Sequence, residues 1–115
     1  MIRVAFQDVK EIRMGSPYNV CRIRLSGPWV PNLPNTDWQD LSAQRDDGEA
    51  VALVRWDTPN NEPGFRIVVI NSQMKTVRTS QRFQGCCQRL SWLGPNRIAW
   101  RAFPDMEGVY RVRTR

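Results

Sequence analysis

The sequence predicts one all-β domain over residues 1–115, built from antiparallel meander units. No run of a dozen residues carries apolar side chains at helical spacing without an interrupting Pro or Gly. Short runs rich in β-branched and aromatic residues recur along the chain, as strands require. The eight prolines and seven glycines fall mostly between those runs, where turns are needed.

The first predicted strands carry the strongest patterns. Residues 20–25, VCRIRL, place charged and apolar side chains on opposite faces for part of the run. Residues 50–56, AVALVRW, and 65–70, FRIVVI, are dense in β-branched and aromatic residues. These two runs are therefore predicted to form the core of a sheet.

Four further strands are predicted in the second half of the chain. Residues 76–83, TVRTSQRF, are more polar and indicate an edge or outer strand. Shorter strands follow at about 88–93, 97–103 and 109–114. Trp56, Trp92 and Trp100 lie within these strand patterns, which favours packing in the core over a binding role.

Two segments share an order of features that indicates a repeat. Residues 40–70 and 89–112 each begin near Leu-Ser, pass a polar turn with Gly, and continue into an apolar strand with Trp beside Arg. In the second copy this is the stretch LSWLGPNRIAW, residues 90–100. A loop with Pro and Gly and an aromatic-rich strand follow in both. A fainter third copy is predicted at residues 9–25.

The two clearer copies resemble the β-propeller repeats of the TolB type over about residues 40–112. The resemblance rests on Leu-Ser-x-x-x-Asp-Asp-Gly-x-x-x-Ala-Leu-Val and on its partner Leu-Ser-Trp-Leu-Gly-Pro-Asn-Arg-Ile-Ala-Trp. It implies a scaffold for contact with other proteins and no catalytic residues. A propeller needs four to eight blades, and this chain holds two or slightly more. We therefore expect either a small sandwich or half-open barrel, or blades assembled between chains; self-association is predicted in both cases.

Several kinds of chemistry have no support in the sequence. The chain has no His, which removes the commonest general base and the Ser-His-Asp and Cys-His nucleophile systems. Cys21, Cys86 and Cys87 lack the spacing of a zinc site, and the last two, after Gly85, are compatible with a β-bulge. No phosphate-binding or dinucleotide motif occurs. We expect no cofactor, no metal and no enzyme activity; a carboxylate pair, Asp46 and Asp47, is the remaining catalytic alternative.

The basic residues suggest one candidate binding face. The net charge is +6, and residues 63–104 contain no acidic residue. Arginines interleaved with aromatic residues on a sheet can hold phosphates and stack on bases, so a nucleic acid is one predicted partner and an acidic protein another. The alternative is that these charges pair with the acidic segment 35–62 across neighbouring strands. The candidate residues are Arg66, Lys75, Arg78, Arg82, Arg89, Arg97 and Arg101.

The loop GPWVPNLPNTDW, residues 27–38, is the second candidate. Three prolines stiffen it, and Trp29 and Trp38 flank it. Such a loop presents indoles for recognition of a peptide or sugar, or folds back to plug the open end of a small β fold.

The predicted setting is cytoplasmic and away from membranes. No segment approaches 18 uninterrupted apolar residues, and residues 1–12 lack the apolar core of a secretory signal. The predicted partners are a second copy of this chain and a different protein, with a nucleic acid as the alternative.

Overall fold

A computed structural model describes residues 1–113, and its strands are paired in antiparallel fashion. Ten strands lie in that range, with a 3-10 turn at Pro59–Asn61 between the fourth and fifth. The strands are β1 (Arg3–Glu11), β2 (Asn19–Ser26), β3 (Trp38–Gln44), β4 (Ala50–Trp56), β5 (Gly64–Asn71), β6 (Thr76–Thr79), β7 (Phe83–Gln84), β8 (Cys86–Trp92), β9 (Arg97–Phe103) and β10 (Met106–Arg111). The all-β prediction is confirmed.

The strands form two sheets. The larger follows the order β1-β2-β3-β4-β5-β6, with β7 also paired to β5, and the smaller follows β10-β9-β8. The larger sheet is open and does not close into a barrel, since β1 and β6 stand at its two ends. Strands β2 and β3 are joined at one pair, Cys21 with Trp38, whereas β4 and β5 pair from Ala50–Asn71 to Trp56–Phe65.

Strands β4 and β5 are buried on both faces and contribute to two core clusters. Val51 and Leu53 face the first cluster with residues of β1 and β2 such as Ile23. Ala52 and Val54 face the second cluster. Because successive side chains of a strand point to opposite faces, a strand covered on both sides must be apolar throughout. This explains the continuous apolar runs in residues 50–56 and 65–70.

The second cluster joins the smaller sheet to the larger one through aromatic packing. The ring of Trp100 lies 5.6 Å from Phe65 and 4.5 Å from Phe83, measured between ring centroids. Gly108 lies opposite Trp100 in the register of β9 and β10, and a Cβ atom there would lie 2.7 Å from the indole. Glycine is therefore required where β10 passes this ring.

The seven predicted strands are confirmed, with shifted bounds. Residues 76–83 divide into β6 and β7, and β6 lies at the sheet edge as predicted. The last strand begins earlier, at Met106, and its predicted end at residue 114 lies outside the described residues. Strands β1 and β3 were not predicted. The irregular register predicted at the two cysteines falls one step later, between Cys87 and Arg89.

Candidate functional site

Two of the predicted basic residues are fixed by contacts within the fold. The Nε of Arg66 donates to Oδ2 of Asp57 at 2.8 Å, and its Nη1 donates to the Ser80 carbonyl at 3.0 Å. The Nε of Arg82 donates to the Asp57 carbonyl at 2.9 Å, and its Nη2 reaches two further carbonyls of the same loop. These two side chains tie the loop after β4 to the strands around it.

Three others are exposed at two separate places. Lys75 occupies the turn between β5 and β6 at a positive φ of 54°. Arg89 and Arg101 are paired across β8 and β9 on the solvent-facing side of the smaller sheet. Arg101 also has two carboxylates nearby, Asp105 at 3.3 Å and Glu107 at 3.5 Å. The predicted set thus does not form one continuous face.

Arg78 and Arg97 line two adjoining cavities, together with arginines that were not among the predicted residues. Two adjoining cavities of about 170 and 500 Å³ share Pro95, Asn96 and Val112 as a common wall. We call this region the arginine groove; its basic residues are Arg45, Arg78, Arg97, Arg111 and Arg113.

The register of β9 and β10 places Arg97 directly opposite Arg111. Like charges in directly opposed positions of an antiparallel pair repel each other. Within the described residues, no carboxylate lies within ion-pair distance of either guanidinium. The Nη2 of Arg97 donates instead to a carbonyl, that of Leu93, at 3.4 Å.

In another pair of opposed arginines, the positive charges are compensated by nearby carboxylates. Arg55 and Arg66 are opposed across β4 and β5. Each has a carboxylate nearby, Asp37 at 3.7 Å from Arg55 and Asp57 at 2.8 Å from Arg66. The Arg97–Arg111 pair therefore differs from its counterpart in the larger sheet by its uncompensated charge.

Trp92 and Arg45, which line the arginine groove, are held by hydrogen bonds to the protein. Trp92 donates its Nε1 proton to the Ala43 carbonyl at 2.8 Å, and the guanidinium of Arg45 lies 5.8 Å from the centroid of its ring. Arg45 itself is held by Asp47 through two bonds of 2.8 and 2.9 Å. The indole is therefore covered on one face by a fixed cation.

The arginines around the groove influence the pKa values of Tyr110 and Asp47. Burial raises the pKa of Tyr110, while the nearby charges of Arg78 and Arg113 act in the opposite direction. The hydrogen bond from Arg45 lowers the pKa of Asp47, helped by the bond from the Glu49 amide. A general acid needs a raised pKa, so Asp47 has the chemistry of a turn-forming anion.

The second candidate, the loop of residues 27–38, packs onto the first core cluster. Trp38 is 1% exposed and donates its Nε1 proton to the Pro34 carbonyl at 2.8 Å. Trp29 is half-buried against the same cluster. Both indoles thus contact the interior of this fold.

The three cysteines carry free thiols. Burial raises the pKa of Cys21 to about 11, with Asp40 adding to the effect, and it raises the pKa of Cys87 to about 12. Both thiols are therefore protonated at neutral pH. Among the residues that the structure describes, no three His, Cys, Asp or Glu side chains come together as a metal site.

Comparison with protein-family models, with curated proteins and with solved structures found no match to this chain. In the described part of the chain, no helix has the length and apolar character needed to cross a membrane.

Proposed function

We propose that this protein is a non-catalytic binding module that contacts the phosphate backbone of a nucleic acid through the arginine groove. One observation carries the proposal: Arg97 and Arg111 are opposed across β9 and β10, and no carboxylate of residues 1–113 lies within ion-pair distance of them. A bound anion would relieve this repulsion. Guanidinium groups suit phosphate because their planar fork matches it with two hydrogen bonds.

The surroundings of the groove favour contact with the backbone over reading of bases. Trp92 is held by the Ala43 carbonyl and covered by Arg45, so its ring offers little surface for stacking. Arg78 and Arg113 add positive charge along the smaller of the two cavities, whereas the charge of Arg45 is paired with Asp47. Binding of this kind depends on salt and little on sequence.

The test is fluorescence anisotropy of a labelled single-stranded oligonucleotide at several salt concentrations. We expect tight binding at low salt that weakens steeply as salt increases. Arg97→Gln with Arg111→Gln should lower the salt slope by about 0.7 for each phosphate that the variant no longer neutralises. The matched control is Arg22→Gln with Arg24→Gln, which removes the same charge from the exposed face of β2.

Two results would contradict this function. One is the absence of binding at low salt, and the other is an equal loss of affinity in the groove variant and its control. An acidic peptide that binds through Arg97 and Arg111 when the oligonucleotide does not would identify a protein as the partner class.

We further propose that the module is a repeat scaffold that self-associates. Strands β3-β4-β5 and β8-β9-β10 each form a consecutive three-stranded meander, and Leu41 and Leu90 both pack on the second cluster. The turns after β3 and β8 each contain a glycine at positive φ, Gly48 at 73° and Gly94 at 134°. These features support two copies of one unit and the resemblance to TolB-type blades. The outer strands of the second unit, β8 and β10, end their sheet, and unpaired edges of this kind favour pairing with a second copy.

A further inference from the structure

Another cavity, far more apolar than the arginine groove, lies where four segments of the chain meet. Its volume is about 440 Å³. The connection between β1 and β2, the loop after β4 and the ends of β8 and β9 supply its walls. We call it the aromatic cavity; its apolar lining consists of Ile12, Pro17, Tyr18, Trp56, Pro63 and Phe103.

The walls of the aromatic cavity are held in place by hydrogen bonds. Trp56 donates its Nε1 proton to the Asn19 carbonyl at 2.8 Å. The Tyr18 hydroxyl accepts a bond from Nε2 of Gln88 at 3.1 Å. The Ile12 amide donates to the Tyr18 carbonyl at 3.0 Å, which closes the β1–β2 connection. A ligand would therefore enter a site that is already formed, which limits the entropy lost on binding.

Part of this apolar surface is open to solvent. Phe103 is 53% exposed, although it contacts Tyr18 with 6.5 Å between the ring centroids. An aromatic group placed beside both rings would cover the exposed face of Phe103 and gain the edge or offset contacts that aromatic rings favour.

The aromatic cavity has one positively charged residue in its lining. Arg13 is the only charged residue among the described residues that line it. Its Nη2 donates to the Asn61 carbonyl at 2.9 Å, and no carboxylate of residues 1–113 lies within ion-pair distance. The guanidinium thus keeps donors for an anionic group at the edge of an apolar site.

We propose that the aromatic cavity binds a small aromatic molecule that carries one carboxylate. The ring would lie against Tyr18, Trp56 and Phe103, and the carboxylate would pair with Arg13. The volume falls within the range of roughly 300–1,000 Å³ that is usual for small-molecule sites. A predominantly apolar lining with one charged group that fixes orientation is also typical of such sites. This site is separate from the arginine groove, and its proposal does not depend on nucleic-acid binding.

The experiment compares three probes with the same ring: 2-naphthoate, 2-naphthalenemethanol and 2-naphthalenemethylammonium. Isothermal titration calorimetry gives their affinities. We expect 2-naphthoate to bind at least about tenfold more tightly than the neutral alcohol, because a hydrogen bond to a charged group contributes enough binding free energy for such a factor. The ammonium should bind most weakly.

Two variants separate the charge from the apolar walls. Arg13→Gln should remove the preference for 2-naphthoate while leaving the affinity for the alcohol unchanged. Phe103→Ala should weaken the naphthoate and the alcohol alike. The control Arg24→Gln removes a charge from the exposed face of β2 and should change nothing. Thermal unfolding of each variant verifies that the fold is intact.

A chemical readout locates the ligand independently. Cys86 lines the cavity and is partly exposed, whereas Cys21 and Cys87 are buried. Saturating 2-naphthoate should slow the alkylation of Cys86 by iodoacetamide. The proposal is overturned if no probe binds at millimolar concentration, if the three probes bind equally, or if Arg13→Gln keeps the preference. It is also overturned if only peptides with an aromatic side chain bind, since the occupant would then be a protein.

Discussion

At the scale of single residues, Gly85 shows how closely β8 and β9 approach at their paired ends. Its φ is +97°, and a Cβ atom there would collide with the Phe103 carbonyl oxygen. Gly15 has a similar φ of +81° but no atom within 4 Å of the position that a Cβ would take. An alanine at position 15 would therefore suffer backbone strain alone, whereas an alanine at position 85 would suffer both strain and a collision.

We predict that Gly85→Ala is much more destabilising than Gly15→Ala. The positive φ alone should cost about 1–2 kcal/mol in either variant. The collision at Gly85 should add roughly 1–3 kcal/mol, as in overpacked sites generally. Urea denaturation gives both free energies of unfolding. Equal losses in the two variants would mean that β8 and β9 separate at little cost at this point.

The buried thiol of Cys87 predicts a loss of stability at high pH. Burial raises the pKa of Cys87 to about 12 from its ordinary value of 9.0. Because the unfolded state loses this proton above its own pKa of 9.0, while the folded state keeps it, the stabilising effect is complete below pH 9.0 and is lost as pH rises toward about 12. Between these limits the group lowers the free energy of unfolding by about 1.4 kcal/mol per pH unit.

Replacing this thiol should flatten the alkaline limb of the stability curve. Urea denaturation of Cys87→Ala and the parent protein from neutral pH upward gives the two curves. The variant should be less stable at neutral pH, where a buried side chain has been truncated, and should lose less stability on going alkaline. Parallel curves above pH 9.0 would contradict the burial of Cys87.

At the scale of elements, the sequence predicted the strands whose apolar pattern is continuous or alternates without a break. Residues 50–56 and 65–70 were identified because strands covered on both faces must be apolar throughout. Strand β1 was not predicted because its alternation of inward and outward residues is interrupted. Asp8 has a φ of 53°, and the register with β2 shifts between Gln7 and Lys10. The alternating apolar residues Val4 and Phe6, which point inward, were the sequence feature that could have predicted this strand.

Strands β3 and β6 show tertiary contacts that no local pattern contains. β3, WQDLSAQ, is polar, yet Nε2 of Gln39 donates to the Cys87 carbonyl at 2.7 Å and ties the strand to β8. β6 stops at Thr79 because the hydroxyl of buried Ser80, and not its carbonyl, accepts the bond from the Ile67 amide at 2.8 Å, while the Ser80 amide still donates to the Ile67 carbonyl at 2.9 Å. Strand propensity predicts neither the position of β3 nor the end of β6, since both depend on contacts with residues far along the chain.

At the scale of the whole molecule, the arginine groove explains why the basic surface was only partly predictable. The acid-free stretch 63–104 drew attention to Arg78 and Arg97, which do reach the groove. Arg45 comes from the turn after β3 and Arg111 from β10, so their proximity depends on the fold. The acid-free stretch also included Arg66 and Arg82, which both bond to Asp57 just before it in sequence, Arg66 to the carboxylate and Arg82 to the carbonyl.

The proposed self-association can be tested at the open edge of the smaller sheet. β10 ends this sheet, and Val109 on it is 53% exposed. We expect dimers to form with increasing concentration in light scattering coupled to size exclusion. Val109→Lys should shift the protein toward monomer, because charged residues on an edge oppose pairing. Val30→Lys, at a position that is 42% exposed outside the strands, is the matched control.

Salt distinguishes this assembly from nucleic-acid binding. Two copies that each carry a net charge of +6 repel each other, so salt should strengthen self-association by screening the charges. The same salt should weaken contact with phosphates at Arg97 and Arg111. Opposite salt trends in scattering and anisotropy would therefore show that different interactions drive the two events. A monomer at every concentration and salt would contradict the assembly and leave the arginine groove to act in a single copy.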